Sequence, residues 1–149
     1  HSYALISDLM GPGIISARHF DSSEQKQILL KYKDNRSAII SVGESAGLPF
    51  NFTAASHKGV YQLSIDNSRI YHNLLKVVLP YLCDNKVPAP FTGENLLEPE
   101  LAAMAARVSW LNHGQEVFLD DLHLDAPGYD GDLFASIYRR NRISPPKKT

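Results

Sequence analysis

The segment QILLKYKDNRSAIISV, residues 27–42, reads as two strands and the turn between them. In 27–33, Ile28, Leu30 and Tyr32 alternate with Gln27, Lys31 and Lys33. In 37–42, Ala38, Ile40 and Val42 alternate with Ser37 and Ser41. A period of two with one apolar face is the signature of strands lying on a core. Asp34-Asn35-Arg36 between them is a tight turn, because Asn and Asp tolerate positive φ. Downstream, Phe50, Phe52 and Ala54 alternate with Asn51, Thr53 and Ala55, Ser56-His57-Lys58-Gly59 turns the chain, and 60–65 returns. Four strands joined by tight turns predict a largely antiparallel sheet. Upstream, residues 14–20 read as a further strand. It is preceded by a helix over 2–10 with Leu5, Ile6, Leu9 and Met10 on one side, stopped by Gly11-Pro12-Gly13.

Beyond residue 68 the period changes. Ile70, Tyr71, Leu74, Leu75, Val78, Tyr81 and Leu82 recur every three or four residues and predict an amphipathic helix over 69–83, which Pro80 kinks or ends. A proline-bearing loop over 84–93 leads to a helix over about 96–113. Its apolar stripe is read as Leu97, Leu101, Met104, Ala105, Val108 and Leu111, with Gly114 closing it as the C′ residue. A short strand follows over 116–119, then a weak helix near 131–140. The end, 143–149, holds two prolines and two lysines and is expected to be disordered. Strands in a block followed by helices predict a two-layer α+β domain: a mostly antiparallel, open-faced sheet with helices on one face. Ile39, Tyr61 and Leu63 are candidates for the open face, and an apolar open face marks a partner surface.

The composition narrows the function. The chain has 149 residues, enough for one domain, with 44% hydrophobic and 21% charged residues. A net charge of -1 argues against a nucleic-acid partner, and no apolar run spans a membrane. The basic tail, Arg139, Arg140, Arg142, Lys147 and Lys148, reads as a solvated terminus. One cysteine, Cys83, excludes an internal disulfide and predicts a reducing, cytoplasmic compartment. The opening His1-Ser2-Tyr3 carries no signal peptide and suggests a piece of a longer protein.

Few residues announce chemistry. No GxGxxG or GxxxxGK[ST] cradle occurs, and Gly11-Pro12-Gly13 follows a helix rather than a strand. The six histidines show no HxH, HExxH or Cys/His spacing, so no metal site is expected. His57 reads as a turn residue and His113 as a cation at a helix C-terminus, while nothing marks His19 or His123. Cys83 reads as buried filler, and Glu44-Ser45 lies in no nucleophile elbow. The glycosylation-type triplets 35–37 and 51–53 read as accidental matches. Tyr61, His72 and Trp110 read as core or interface side chains rather than pocket walls.

Four stretches taken in order carry a resemblance: HSYALISDLMGPG (1–13), LLKYKDNRSAIISVG (29–43), FNFTAASHKGVYQLSI (50–65), and the segment 70–119 from IYHNLLKVV to EVFL. Together they resemble the C-terminal domain of the Gfo/Idh/MocA oxidoreductases, the family of glucose-fructose oxidoreductase and inositol dehydrogenase, over residues 1–122. Residues 123–149 form an extension outside the resemblance. The resemblance implies an NAD(P)-dependent dehydrogenase of a sugar, polyol or related hydroxy/keto substrate. NAD or NADP would be held by a preceding Rossmann domain, and the open sheet would make a homodimer. It also assigns His1 to proton transfer beside the substrate hydroxyl, a task suited to a group that titrates near neutral pH. Many members carry an acid three residues after this histidine, and here that position is Ala4. Ala4 supports an alternative: a non-catalytic, dimerising α+β ligand-binding module. This chain by itself is expected to be inactive.

Overall fold

A computed structural model describes residues 2–20, 25–43, 50–123, 125–126, 128 and 130–143. His1, for which a catalytic role is expected, lies outside the described residues, as does all of the 143–149 end expected to be disordered except Ile143, which is the last residue of a helix. The strand pair read from 27–42 is the centre of the fold: β2 (Gln25–Tyr32) and β3 (Ser37–Gly43) pair antiparallel, with Ile28 opposite Ile40 and Leu30 opposite Ala38. Asn35 sits at φ 66° in the turn, as the residue choice demands. β1 (Ile14–Phe20) adds antiparallel to β2, and the two-residue β6 (Val117–Phe118) adds to β1, giving the order β3-β2-β1-β6.

Helices α1 (Ser2–Met10) and α3 (Gly93–Leu111) cover one face of this sheet. Ile6 of α1 and Ala102, Ala105 and Ala106 of α3 meet Ile14, Ala17, Ile28, Leu30, Tyr32 and Ile40 in the core. The architecture is therefore the expected α+β one, with mostly antiparallel sheets. A carboxylate latches the layers together: the Gly13 and Ile14 N–H groups both donate to Glu98 Oε1, at 2.7 and 3.2 Å. At the start of α3, Thr92 and Asn95 satisfy each other's backbone N–H in a capping box.

Several details differ from the sequence reading. The hairpin of β4 (Phe50–Ser56) and β5 (Gly59–Ile65) forms its own two-stranded sheet and does not extend the first. The buried side of α3 is the row Pro99, Ala102, Ala105, Ala106 and Ser109, whereas Leu97 and Leu111 are exposed. Small side chains let the helix axis approach the sheet, and closeness of approach decides the face here over bulk hydrophobicity. α3 ends in a Schellman motif. His113 (φ 56°) takes the C′ position, and Gly114 (φ 80°) is C″, its N–H donating to Ser109 O at 2.8 Å. Val42, on the apolar side of β3, is half exposed. α2 (Ile70–Cys83) runs on for three residues past Pro80, and none of its residues is buried. Cys83 is accordingly exposed, not core filler. After β6 a 3₁₀ turn, Leu119–Asp121, leads on to α4 (Gly131–Ile143).

Candidate functional site

The site begins with a slip in register. Strict alternation along β1 from the buried Ile14 would turn Ser16, Arg18 and Phe20 toward the helices. A β-bulge between Ile14 and Ser16 resets the parity, so Ala17 and His19 face the helices and Arg18 and Phe20 face out. His19 is thereby carried beneath α3 and is only 6% exposed. Its N–H donates to Ser109 Oγ at 2.9 Å, and its carbonyl oxygen lies against Gly114, where a Cβ would come within 2.7 Å. The backbone of His19 is thus fixed on both sides by the end of α3. Its ring nitrogen Nδ1, in contrast, is buried without a hydrogen-bond partner among the described residues.

His19 is one of the residues lining a cavity of about 580 Å³ between the sheet and the two helices. Ile28, Ile40 and Val42 floor it, Met104, Arg107 and Trp110 of α3 wall it, and Ser2 and Tyr3 bring the first turn of α1 to its edge. The Trp110 indole is the shared surface. The His19 ring lies 6.2 Å from it, tilted by 46°, and the Lys26 ammonium stands 4.9 Å over its face. Lys26 is on the same side of β2 as Ile28, which is why it reaches the helical layer at all. Glu100 is the one acidic residue in the described lining, against Lys26 and Arg107. Burial pushes the Tyr3 hydroxyl up to about pKa 12, so it stays a neutral hydrogen-bonding group at physiological pH. The first turn of α1 contains no acidic side chain to offset its positive dipole end. An apolar floor, an aromatic wall, an imidazole and the Lys26 and Arg107 side chains line this candidate ligand site.

A second cleft, of about 970 Å³, separates β3 and α1 from β4. Ile39, Leu9, Phe50 and Phe52 line it, along with Arg36. Among the described residues it is lined by no buried titratable side chain and reads as a gap between the two sheets.

The residues singled out from sequence fall unevenly. Trp110 joins the pocket, whereas Tyr61 and His72 are exposed and line neither cavity. His19, Lys26, Arg107 and Tyr3 carried no sequence signal of their own. The bulge that turns His19 inward shows only as two adjacent buried residues, Ser16 and Ala17. Among the described residues no group of three His, Cys, Asp or Glu side chains is placed to hold a metal, and no helix is long and apolar enough to cross a membrane. The Gly11-Pro12-Gly13 turn is no phosphate cradle, since the Gly13 and Ile14 N–H groups are already taken by the Glu98 carboxylate. That turn therefore does not fit a dinucleotide phosphate. In comparisons with known proteins, the chain matches no family model, no curated protein and no solved structure.

Proposed function

We propose that this chain is the substrate-binding and dimerisation domain of an NAD(P)-dependent oxidoreductase of the Gfo/Idh/MocA type, acting on a sugar, polyol or related hydroxy/keto compound. The observation that carries the reading is the pocket at the first turn of α1. Ser2, the residue after His1, lines it together with the buried His19. The resemblance assigns proton transfer to the residue that directly precedes Ser2 in the sequence, which is what supports the reading. The element order, the sheet with helices on one face and the exposed apolar surfaces of α2 and the β4–β5 hairpin support it further. NAD or NADP belongs, on this reading, to a Rossmann domain outside the chain. This domain binds and orients the substrate, and His1 handles a proton at the substrate hydroxyl.

The test is made on the native gene product. Its intact mass is measured, and its binding of NADH and NADPH is followed by fluorescence titration. A mass larger by about one further domain, roughly 100–150 residues, with saturable binding of one nicotinamide cofactor, is the expected result. A native mass near 16.6 kDa with no cofactor binding overturns it in favour of the second reading, a non-catalytic dimerising ligand-binding module. Ala4 is the observation on that side: it is exposed on α1 and carries no acid–base group.

A further inference from the structure

The last helix, α4, has an apolar face that the fold leaves open. Leu133 and Ile137 form one row along it, and Phe134 and Tyr138 the next. Residues four apart lie one above the other on a helix, so the two adjacent rows make a single face. Each of the four side chains is between 43% and 57% exposed, although the Phe134 and Tyr138 rings also stack on one another at 5.9 Å. None of the residues 131–140 is buried. Asp132, Ser136 and Arg139 occupy the opposite side, and Arg140 borders the apolar face one turn beyond Ile137. Asp132 is the last acidic residue of the sequence, and Arg139, Arg140, Arg142, Lys147 and Lys148 follow it. Arg139 and Arg140, read from the sequence as part of a solvated terminus, are exposed and form no ion pair among the described residues. A helix seated in a protein groove anchors at i, i+3 or i+4, and i+7. Here the positions seven after Leu133 and Phe134 are Arg140 and Asn141, so the apolar anchors end after two turns and cations take over. A short apolar face with a cationic border suits the surface of an anionic bilayer, where the apolar side is immersed and the arginines stay at the headgroups. The helix has 13 residues, about 20 Å in length against about 30 Å of hydrocarbon, so it lies on a membrane rather than across one.

We propose that α4 is an interfacial helix that docks this protein on anionic lipid bilayers. Leu133, Phe134, Ile137 and Tyr138 enter the boundary between headgroups and acyl chains, Arg140 meets headgroup phosphates at the border, and Arg139 adds to the attraction of the charged surface. Neither part suffices alone: four apolar side chains are a small face, and exposed charges are screened by salt, so the attachment is reversible and needs both. α4 lines neither cavity, and the proposal is independent of the oxidoreductase reading.

Flotation of the full-length protein with vesicles tests it. Phosphatidylcholine vesicles are compared with vesicles containing roughly 30% phosphatidylserine. The expected result is about fivefold or more protein on the anionic vesicles, lost as salt is raised from about 0.05 to about 0.5 M. Phe134→Ser with Ile137→Ser, and separately Arg139→Gln with Arg140→Gln, should each reduce that binding by about threefold or more, and Lys58→Gln in the β4–β5 turn should not. Because no residue over 131–140 is buried, both double variants should keep the parent's thermal transition. Equal binding to both vesicles, binding to neither, or binding that Phe134→Ser with Ile137→Ser leaves intact overturns the proposal. Binding to calcium-loaded calmodulin, an acidic helix-receiving groove, with none to vesicles would overturn it in favour of a protein partner. A lower solution mass for the Phe134→Ser, Ile137→Ser variant, with vesicle binding unchanged, would overturn it in favour of a second copy.

Discussion

Gly114 shows how much one residue can be asked to do. It holds φ at 80°, closes the Schellman motif, and sits where a Cβ would be 2.7 Å from the His19 carbonyl oxygen. The neighbour is backbone and cannot swing aside. Gly114→Ala should therefore destabilise by at least about 1–3 kcal/mol, whereas Gly93→Ala, at the start of α3 with nothing within 4 Å, should be close to neutral. Urea unfolding of the two variants checks the contrast. Glu116 offers a second case. The Ser16 hydroxyl, donating to it at 2.5 Å, and then the Lys31 ammonium at 2.9 Å hold its carboxyl below the usual glutamate range. A depressed folded-state pKa contributes stability that is present above the unfolded value and lost as pH falls through the folded one. Stability should thus decline on acidification from about pH 5 to about pH 3, and Glu116→Gln should flatten part of that decline. Unfolding curves across this range, identical in slope for variant and parent, would contradict it.

Among the elements, α3 is where sequence and structure part most instructively. The apolar stripe read from sequence, Leu97, Leu101, Met104, Ala105, Val108 and Leu111, shares only Ala105 with the residues the sheet buries most deeply, Ala102, Ala105, Ala106 and Ser109. Leu97→Ala should then change stability by no more than about 0.5 kcal/mol, and Ala105→Leu should cost about 1–3 kcal/mol by overpacking. Thermal melts showing the opposite order would mean that the helix sits on its leucine face. The strands were far more legible. Ile28, Leu30, Tyr32 and Ile40 face inward as their alternation requires, and both hairpin turns fall at their Asn and Gly positions. Period-two patterning and turn chemistry are local properties, so they can be read from neighbouring letters. The pocket is not local. His19, Lys26 and Trp110 are joined only by a bulge in β1 and by the packing of a helix more than eighty residues away, and no spacing rule encodes that.

At the scale of the molecule, two parts behave differently. The four-stranded sheet with α1 and α3 has a core, while α2 has no buried residue and the hairpin leaves Val60, Tyr61 and Leu63 largely exposed. Ile39, at 66% exposure on the open face of the sheet, adds to this apolar surface. Surfaces of that kind are characteristic of proteins that associate. Sedimentation at micromolar concentration should return the mass of two chains, and Ile39→Glu with Leu63→Glu should shift it toward one by at least tenfold in dissociation constant. A single-chain mass for the unaltered protein at every concentration would remove the dimer. The last turn of α3 and the residues after it deserve a different description from the one its hydrogen bonds suggest. Within eight residues, Ser109 and Trp110 hold His19 on the helical side of the sheet. Gly114 then accepts from Arg18 at 3.0 Å, and Glu116 ties Ser16 and Lys31 on the open side. This stretch works as a rivet driven through the sheet. The wall of the cavity and the ties on the outer surface are thus carried by one short continuous stretch of chain.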